Sequence, residues 1–187
     1  MKATQLLKND HKQILRALDV LEQMMGRVQR GETVNQADAL DMVDFLQAYA
    51  DRHHQGKEES ILFPALLRDR DQKNYGKLCC AIFEHNQERS LAQGLEEAIR
   101  TKKPKDFIFC ASQLIDKLRA HIDKEDRFLF ELADSILSRE EDQRVAAEMQ
   151  SFEHAWQQQV LTRLLNRLDE MEAIYVGGAH AGIATRH

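Results

Sequence analysis

Apolar residues return every three or four positions along most of the chain, the spacing of one helix face. No stretch alternates in steps of two for long enough to make a strand. Leu7, Ile14, Leu18, Leu21 and Met25 form the first stripe, which predicts a helix from an N-cap at about Thr4 to Arg30, stopped by Gly31. A second helix starts at Thr33 or Asn35, with Asp38 as a capping-box-like partner, and continues through Leu40, Val43, Leu46, Tyr49 or Ala50, Ile61 and Leu62. Pro64 removes a backbone bond and is expected to kink or end it before a short tail through Leu66 and Leu67. After the polar connection 68–74, a third helix runs from about Asn74 to Thr101 on Leu78, Ile82, Leu91, Leu95 and Ile99. Lys102, Lys103 and Pro104 turn the chain. A fourth helix uses Phe107, Cys110, Leu114, Leu118, Phe128 and Leu132, and a fifth runs from a cap at Ser138 to about Tyr175 on Val145, Met149, Phe152, Trp156, Val160, Leu164 and Leu168.

The expected fold is all-α: an up-down-up-down four-helix bundle over about 4–135, with a fifth helix over about 139–175. Residues 1–175 then make one domain and 176–187 a small-residue, flexible tail. Length and composition agree, since 187 residues that are 43% apolar can bury a core. A net charge of −5 without a basic stripe argues against nucleic acid as partner. No apolar run is long enough to span a membrane, and the N-terminus lacks a signal peptide's apolar centre. Cys79, Cys80 and Cys110 are too few and wrongly spaced for a disulfide framework or a zinc site. They read as small buried thiols in a reducing cytoplasm.

Six polar residues interrupt the stripes. His11 stands where a leucine is expected, with Asn9, Asp10 and Lys12 on the solvent side, His85 lies on the stripe of the third helix, and two segments repeat one pattern. In HHQGKEESILFP and HIDKEDRFLF, His54 superposes on His121, Glu58 on Glu125, Leu62 on Leu129 and Phe63 on Phe130. A histidine and a glutamate four apart share one helix face. Antiparallel neighbours place residues at one height when both are equally far from their loop. His11 is 19 residues before Arg30 and His54 is 19 after Asn35, while His85 is 16 before Thr101 and His121 is 16 after Lys105. Four imidazoles in one layer, with two carboxylates a turn away, are costly as packing and well suited to a metal pair. With no cysteine in that layer and coordination left open, iron fits better than zinc or another divalent metal.

On DHKQIL, ADRHHQGKEESILFP, EHNQER and LRAHIDKEDRFLF the sequence resembles the hemerythrin-like, or HHE cation-binding, family of bacterial type. The resemblance implies two iron ions joined by an oxo or hydroxo bridge and by two glutamates, with His11, His54, Glu58, His85, His121 and Glu125 as ligands. It also implies binding or reduction of oxygen, nitric oxide or peroxide, in sensing, storage or stress response. The alternative is a di-iron enzyme that removes peroxide or nitric oxide, or supplies iron for iron–sulfur repair. Repair members carry an additional N-terminal cysteine-bearing domain, and here the bundle begins within the first few residues. Two departures point away from a dedicated oxygen carrier: Arg89 stands where such proteins have a fifth histidine, and the last carboxylate follows its histidine by four residues, not five. Gln55 replaces a second histidine found in some members. The expected partners are a diatomic molecule or peroxide, with a homodimer permitted.

Of the other histidines, His53 lies about 100° from His54 and reads as a surface or supporting group. Glu59 is the solvent neighbour of Glu58. His154, in FEHAW, repeats the FEH at His85 and is weighed as an extra ligand, although Phe152 and Trp156 make the better inward stripe. His180 and His187 are placed in the solvated tail.

Overall fold

The first helix has no side-chain cap of its own. In a computed structural model that describes residues 2–67, 75–155 and 158–177, α1 (Ala3–Gln29) starts one residue before Thr4. Its start is tied instead to residues far along the chain: Ala3 N–H donates to Asp142 at 3.0 Å, and the Thr4 hydroxyl donates to Asp134 at 2.9 Å. Gly31, at φ +76°, stops the helix as expected. Asn35 caps α2 (Gln36–Phe45) by accepting from Ala37 N–H at 2.8 Å. Asp38 is not its capping partner; it is buried and receives Arg167 and Tyr175 from the C-terminal helix.

The helix then leaves α geometry. Leu46–Gln55 and Glu58–Leu62 are π-helical, with α3 (Phe63–Leu67) completing the run. Pro64 does not end the helix, because it falls just after a bond from Phe63 N–H to the Glu58 carbonyl, at the second residue of α3. A second departure follows α5 (Pro104–Lys124), where Glu125–Leu129 is π-helical before α6 (Phe130–Ile136). Glu58 and Glu125 each open such a stretch, which is where functional side chains often sit.

α4 (Tyr75–Arg100) packs along α5, which also packs on α1. Ser138 and Glu141 form a reciprocal capping box that opens α7 (Arg139–Ala155), and α8 (Gln158–Glu172) follows. α7 and α8 pack on α1, and α8 also meets α2. The described residues are all-helical, with no strand among them, and no helix among them is long and apolar enough to cross a membrane. The 68–74 connection, the proposed start at Asn74, Trp156 and the tail histidines His180 and His187 lie outside the described residues.

Several expected core positions are on the surface. α4 buries Leu78, Ala81, His85, Glu88, Ala92, Leu95 and Ile99, so its inner face is turned toward small and polar residues; Ile82 is exposed and Leu91 half-buried. Phe128 is 63% exposed, with Leu129 and Phe130 buried in its place. Cys79 and Cys80 are exposed as well, not buried thiols. Close approach explains one small residue: a Cβ at Gly94 would lie 3.0 Å from the Cys110 sulfur across the α4–α5 contact. Gly94→Val is expected to cost about 1–3 kcal/mol by overpacking, measured as a lower denaturant midpoint at unchanged slope.

The buried apolar residues fall into two clusters. One contains Ile14, Leu18, Met42, Phe45, Leu95, Leu114 and Leu118, and the other Leu7, Leu62, Phe63, Leu78, Leu129 and Phe130. Between them lies a wholly polar layer.

Candidate metal centre

That layer consists of His11, His54, Glu58, His85, His121 and Glu125, none more than 2% exposed. The structure brings all six together in two groups of four that share both carboxylates. In the first, His11 Nε2 and His54 Nε2 are 3.0 Å apart, with Glu125 Oε2 3.3 Å from His11 and Glu58 Oε1 3.6 Å from His54. In the second, His85 Nε2 and His121 Nε2 are again 3.0 Å apart, with Glu58 Oε2 3.5 Å from His85 and Glu125 Oε1 3.3 Å from His121. Each carboxylate thus turns one oxygen to each histidine pair. All four oxygens are buried and form no hydrogen bond among the described residues. Buried carboxylates left that way are costly, and a cation between the donors is what would satisfy them.

The outer nitrogen of each ring is held by a carboxylate. His11 Nδ1 donates to Asp126 at 2.9 Å, His54 Nδ1 to Asp10 at 3.3 Å, His85 Nδ1 to Glu59 at 2.6 Å and His121 Nδ1 to Glu84 at 2.9 Å. A carboxylate only accepts, so Nδ1 carries a proton, and in the neutral ring Nε2 is left to present its lone pair to the centre. The four acceptors form a cycle. Asp10 on α1 serves the second helix, Glu59 there serves α4, Glu84 on α4 serves α5, and Asp126 closes the ring on α1. Sequence reasoning placed Asp10 and Glu59 in solvent, whereas Asp10 is buried, and passed over Glu84 and Asp126. A signal was present, because each acceptor is the chain neighbour of one of the six residues: Asp10-His11, Glu58-Glu59, Glu84-His85 and Glu125-Asp126.

The model of the hemerythrin HHE cation binding domain matches residues 2–133, well over half the chain. The chain belongs to that family. No curated protein and no solved structure matches it significantly. In this hemerythrin domain Arg89 donates to Asp51 at 2.7 Å and to Glu59 at 2.8 Å. Arg89 thereby steadies the acceptor of His85.

His53 is not on the surface. It is buried beside Tyr49, under Glu153 of α7, because the helix that carries it is covered on that side too. Lys57, fully buried, sits between Asp10 and Glu153 at 2.7 Å from each and 3.2 Å from His53 Nε2. Asp10, His53 and Glu153 have the spacing of a third cation site, and the Lys57 ammonium already occupies its middle. His154 is exposed and donates to the Gln150 carbonyl, so α7 sends Glu153 inward and not His154. Gln55 is buried too and donates to Glu88 at 2.6 Å. Burial pushes the Glu88 carboxyl up to about 7.

The centre's own groups are far from their ordinary titration. Burial, then the charge of Glu125, pushes Glu58 well above the usual carboxylate range. Burial also opposes ionisation of Glu125, but the charge of His121 and the close approach of His11 and His121, each at 3.3 Å, hold it well below that range. His121, despite burial, is raised to about 9 by Glu125, whereas burial and His11 lower His54 to about 4. At neutral pH the metal-free layer therefore holds a proton on His121, and the raised Glu58 carboxyl resists ionising, so a cation competes with protons for both. Metal affinity is expected to fall as pH drops from about 8 to 6, with net proton release on loading, read with an indicator in lightly buffered solution.

Proposed function

We propose that this protein is a non-haem di-iron hemerythrin that takes up oxygen, nitric oxide or peroxide at a coordination position left open by the protein. The observation that carries this reading is the pair of two-nitrogen, two-oxygen clusters bridged by both unsatisfied carboxylates. His11, His54, Glu58 and Glu125 would hold one ion, and His85, His121 and the same two glutamates the other. Two nitrogens and two oxygens leave each ion short of six ligands, and a thiolate-free set of this kind suits iron better than a closed zinc site. Iron held there would supply redox equivalents and an exchangeable position for the small molecule. The protein's contribution is to fix four Nε2 atoms through their Nδ1 bonds and to keep water out between two apolar clusters.

The wider reading is an up-down-up-down bundle over about 4–135, crossed by the C-terminal helices, forming one domain to residue 175. The protein works in the cytoplasm, in sensing, storage or stress response, alone or as a homodimer. Replacement of the fifth histidine by Arg89 favours those roles over dedicated oxygen carriage.

The test is to load iron, reduce it without oxygen, admit oxygen and follow the charge-transfer absorption. A band that appears and then vanishes on deoxygenation supports reversible binding. Steady peroxide consumption in proportion to iron content would instead make the protein an enzyme. A sample with no iron after reconstitution, or a His54→Ala variant with unchanged metal content, would refute the metal centre itself.

A further inference from the structure

Of the four outer carboxylates, Asp10 is linked to α7. Its Oδ2 accepts from both His54 Nδ1 at 3.3 Å and the Lys57 ammonium at 2.7 Å. Lys57 also donates to Glu153 at 2.7 Å, with His53 Nε2 3.2 Å away, while Tyr49 donates to the other Asp10 oxygen at 3.2 Å. Glu153, Lys57, Asp10 and His54 therefore form a continuous chain from α7 to a ring of the polar layer. α7 is seated close above it: a Cβ at Gly56 would come within 3.2 Å of the Phe152 ring. This helix lies beyond residues 2–133, which match the family model.

Arg89 and Lys124 hold Glu59 and Glu84 in a comparable way, but both reach solvent, where water and salt screen their charge. Lys57 is fully buried, so its charge and those around it act at low effective dielectric. An acceptor shared between two donors divides its pull. The harder Lys57 holds Oδ2, the less that oxygen draws on the Nδ1 proton, and the weaker a ligand the ring becomes at Nε2. Glu153 draws the ammonium the other way and so strengthens His54.

We infer that Glu153 is a positioning residue of the centre, acting through Lys57 and Asp10 on the His54 ring, and that α7 is thereby coupled to the ion His54 would hold. This inference rests on the reading of the polar layer as an iron centre, and it names the part of the protein that feels the state of that iron. The coupling runs both ways. A ferric ion draws harder on His54 than a ferrous one, so Asp10 is drawn further toward the ring. Lys57 is then left more to Glu153, and α7 is held more firmly over ferric than over ferrous iron.

Glu153→Gln keeps the length of the side chain and an oxygen for Lys57 but removes the charge. Glu148→Gln, which takes the same charge from the exposed side of α7, is the control. Both are compared with wild type as full-length protein, metal-free and iron-loaded. In the metal-free protein the His54 Nδ1 proton resonance is expected to move upfield in Glu153→Gln and downfield in Lys57→Met, and to stay in place in the control. Opposite signs from two substitutions on one chain are not what loosened packing produces. With iron, Glu153→Gln is expected to favour the ferrous state of one ion about tenfold, the low end of what a ligand's supporting partners contribute. That is an upward shift of about 59 mV in a one-electron potential. Backbone hydrogen exchange of α7 in the wild type, which needs no variant, should be slower with ferric than with ferrous iron. An unchanged potential and resonance in Glu153→Gln overturn the inference and leave the metal reading intact, as does equal α7 exchange in both oxidation states. A wild type that takes up no iron removes the metal reading and with it the coupling to an ion. An upfield His54 resonance in Glu153→Gln then still upholds the chain from α7 to that ring.

Discussion

Ferrous iron, added without oxygen at about a thousandfold above its dissociation constant, is expected to stabilise this protein by about 4 kcal/mol. For a chain of this size that raises the unfolding midpoint by roughly 10 °C. The effect follows from the four carboxylate oxygens of Glu58 and Glu125, buried and without hydrogen bonds among the described residues. Without metal, Glu58 binds its proton more tightly folded than unfolded, so it stabilises the fold below its ordinary 4.5. That contribution is lost as pH rises through the higher folded value. As that contribution falls away the buried carboxyl becomes a cost to the metal-free fold, and a cation offsets it. Glu58→Gln separates the two effects. It keeps the shape and removes the titration, so the metal-free variant should match or exceed wild type at neutral pH. It also removes a bridging carboxylate, so the iron-dependent rise should largely vanish. Thermal unfolding of both proteins with and without iron checks this. A full iron-dependent rise in Glu58→Gln would show that the carboxylate does not hold metal.

The six central residues were legible because each breaks an apolar stripe, and because one pattern of histidine, glutamate, leucine and phenylalanine occurs twice. Counting residues from the loops was enough to put four histidines in one layer, because helix rise is fixed. What surrounds them was less legible. Periodicity ranks residues by hydrophobicity, so on α4 it favoured Ile82 and Leu91 over Ala81, Glu88 and Ala92, the positions that face inward. Phe128 was misplaced for a similar reason: the chain turns π-helical at Glu125, and a fixed angle per residue no longer tracks the face. Lys57 is the extreme case. A lysine between a glycine and a glutamate reads as solvent-facing, and only the arrival of α7 makes it an interior cation. Helix ends were easier, because Gly31 at a stop and Asn35 at a start act through their own backbone or the next few residues.

The largest loss from a single substitution outside the six is expected at Lys57. Lys57→Met nearly conserves volume and removes the ammonium that lies 2.7 Å from both Asp10 and Glu153. Glu153 is 31% exposed and can turn to water, but Asp10, at 6%, is left as a buried charge with Tyr49, His53 and His54 as its remaining partners. Breaking a buried pair in this way costs about 3–5 kcal/mol, or roughly 10 °C in the unfolding midpoint. The pH dependence should change in a defined direction. In the wild type, burial opposes ionisation of Asp10, but the hydrogen bonds from His53 and His54 and the charge of Lys57 hold it well below the ordinary 3.8. Its contribution to stability is therefore present above that value and is lost only as pH falls through the folded value. Without Lys57 the folded value rises, and acid unfolding should begin at higher pH. Neutralising the partner as well, in Lys57→Met with Asp10→Asn, should recover a large part of the loss, because the amide oxygen still accepts from His54. Circular dichroism of the wild type and of the single and double variants at about pH 7 and 5 measures these differences. Equal stability of the single variant and wild type at both pH values would mean that Asp10 reaches water by another route.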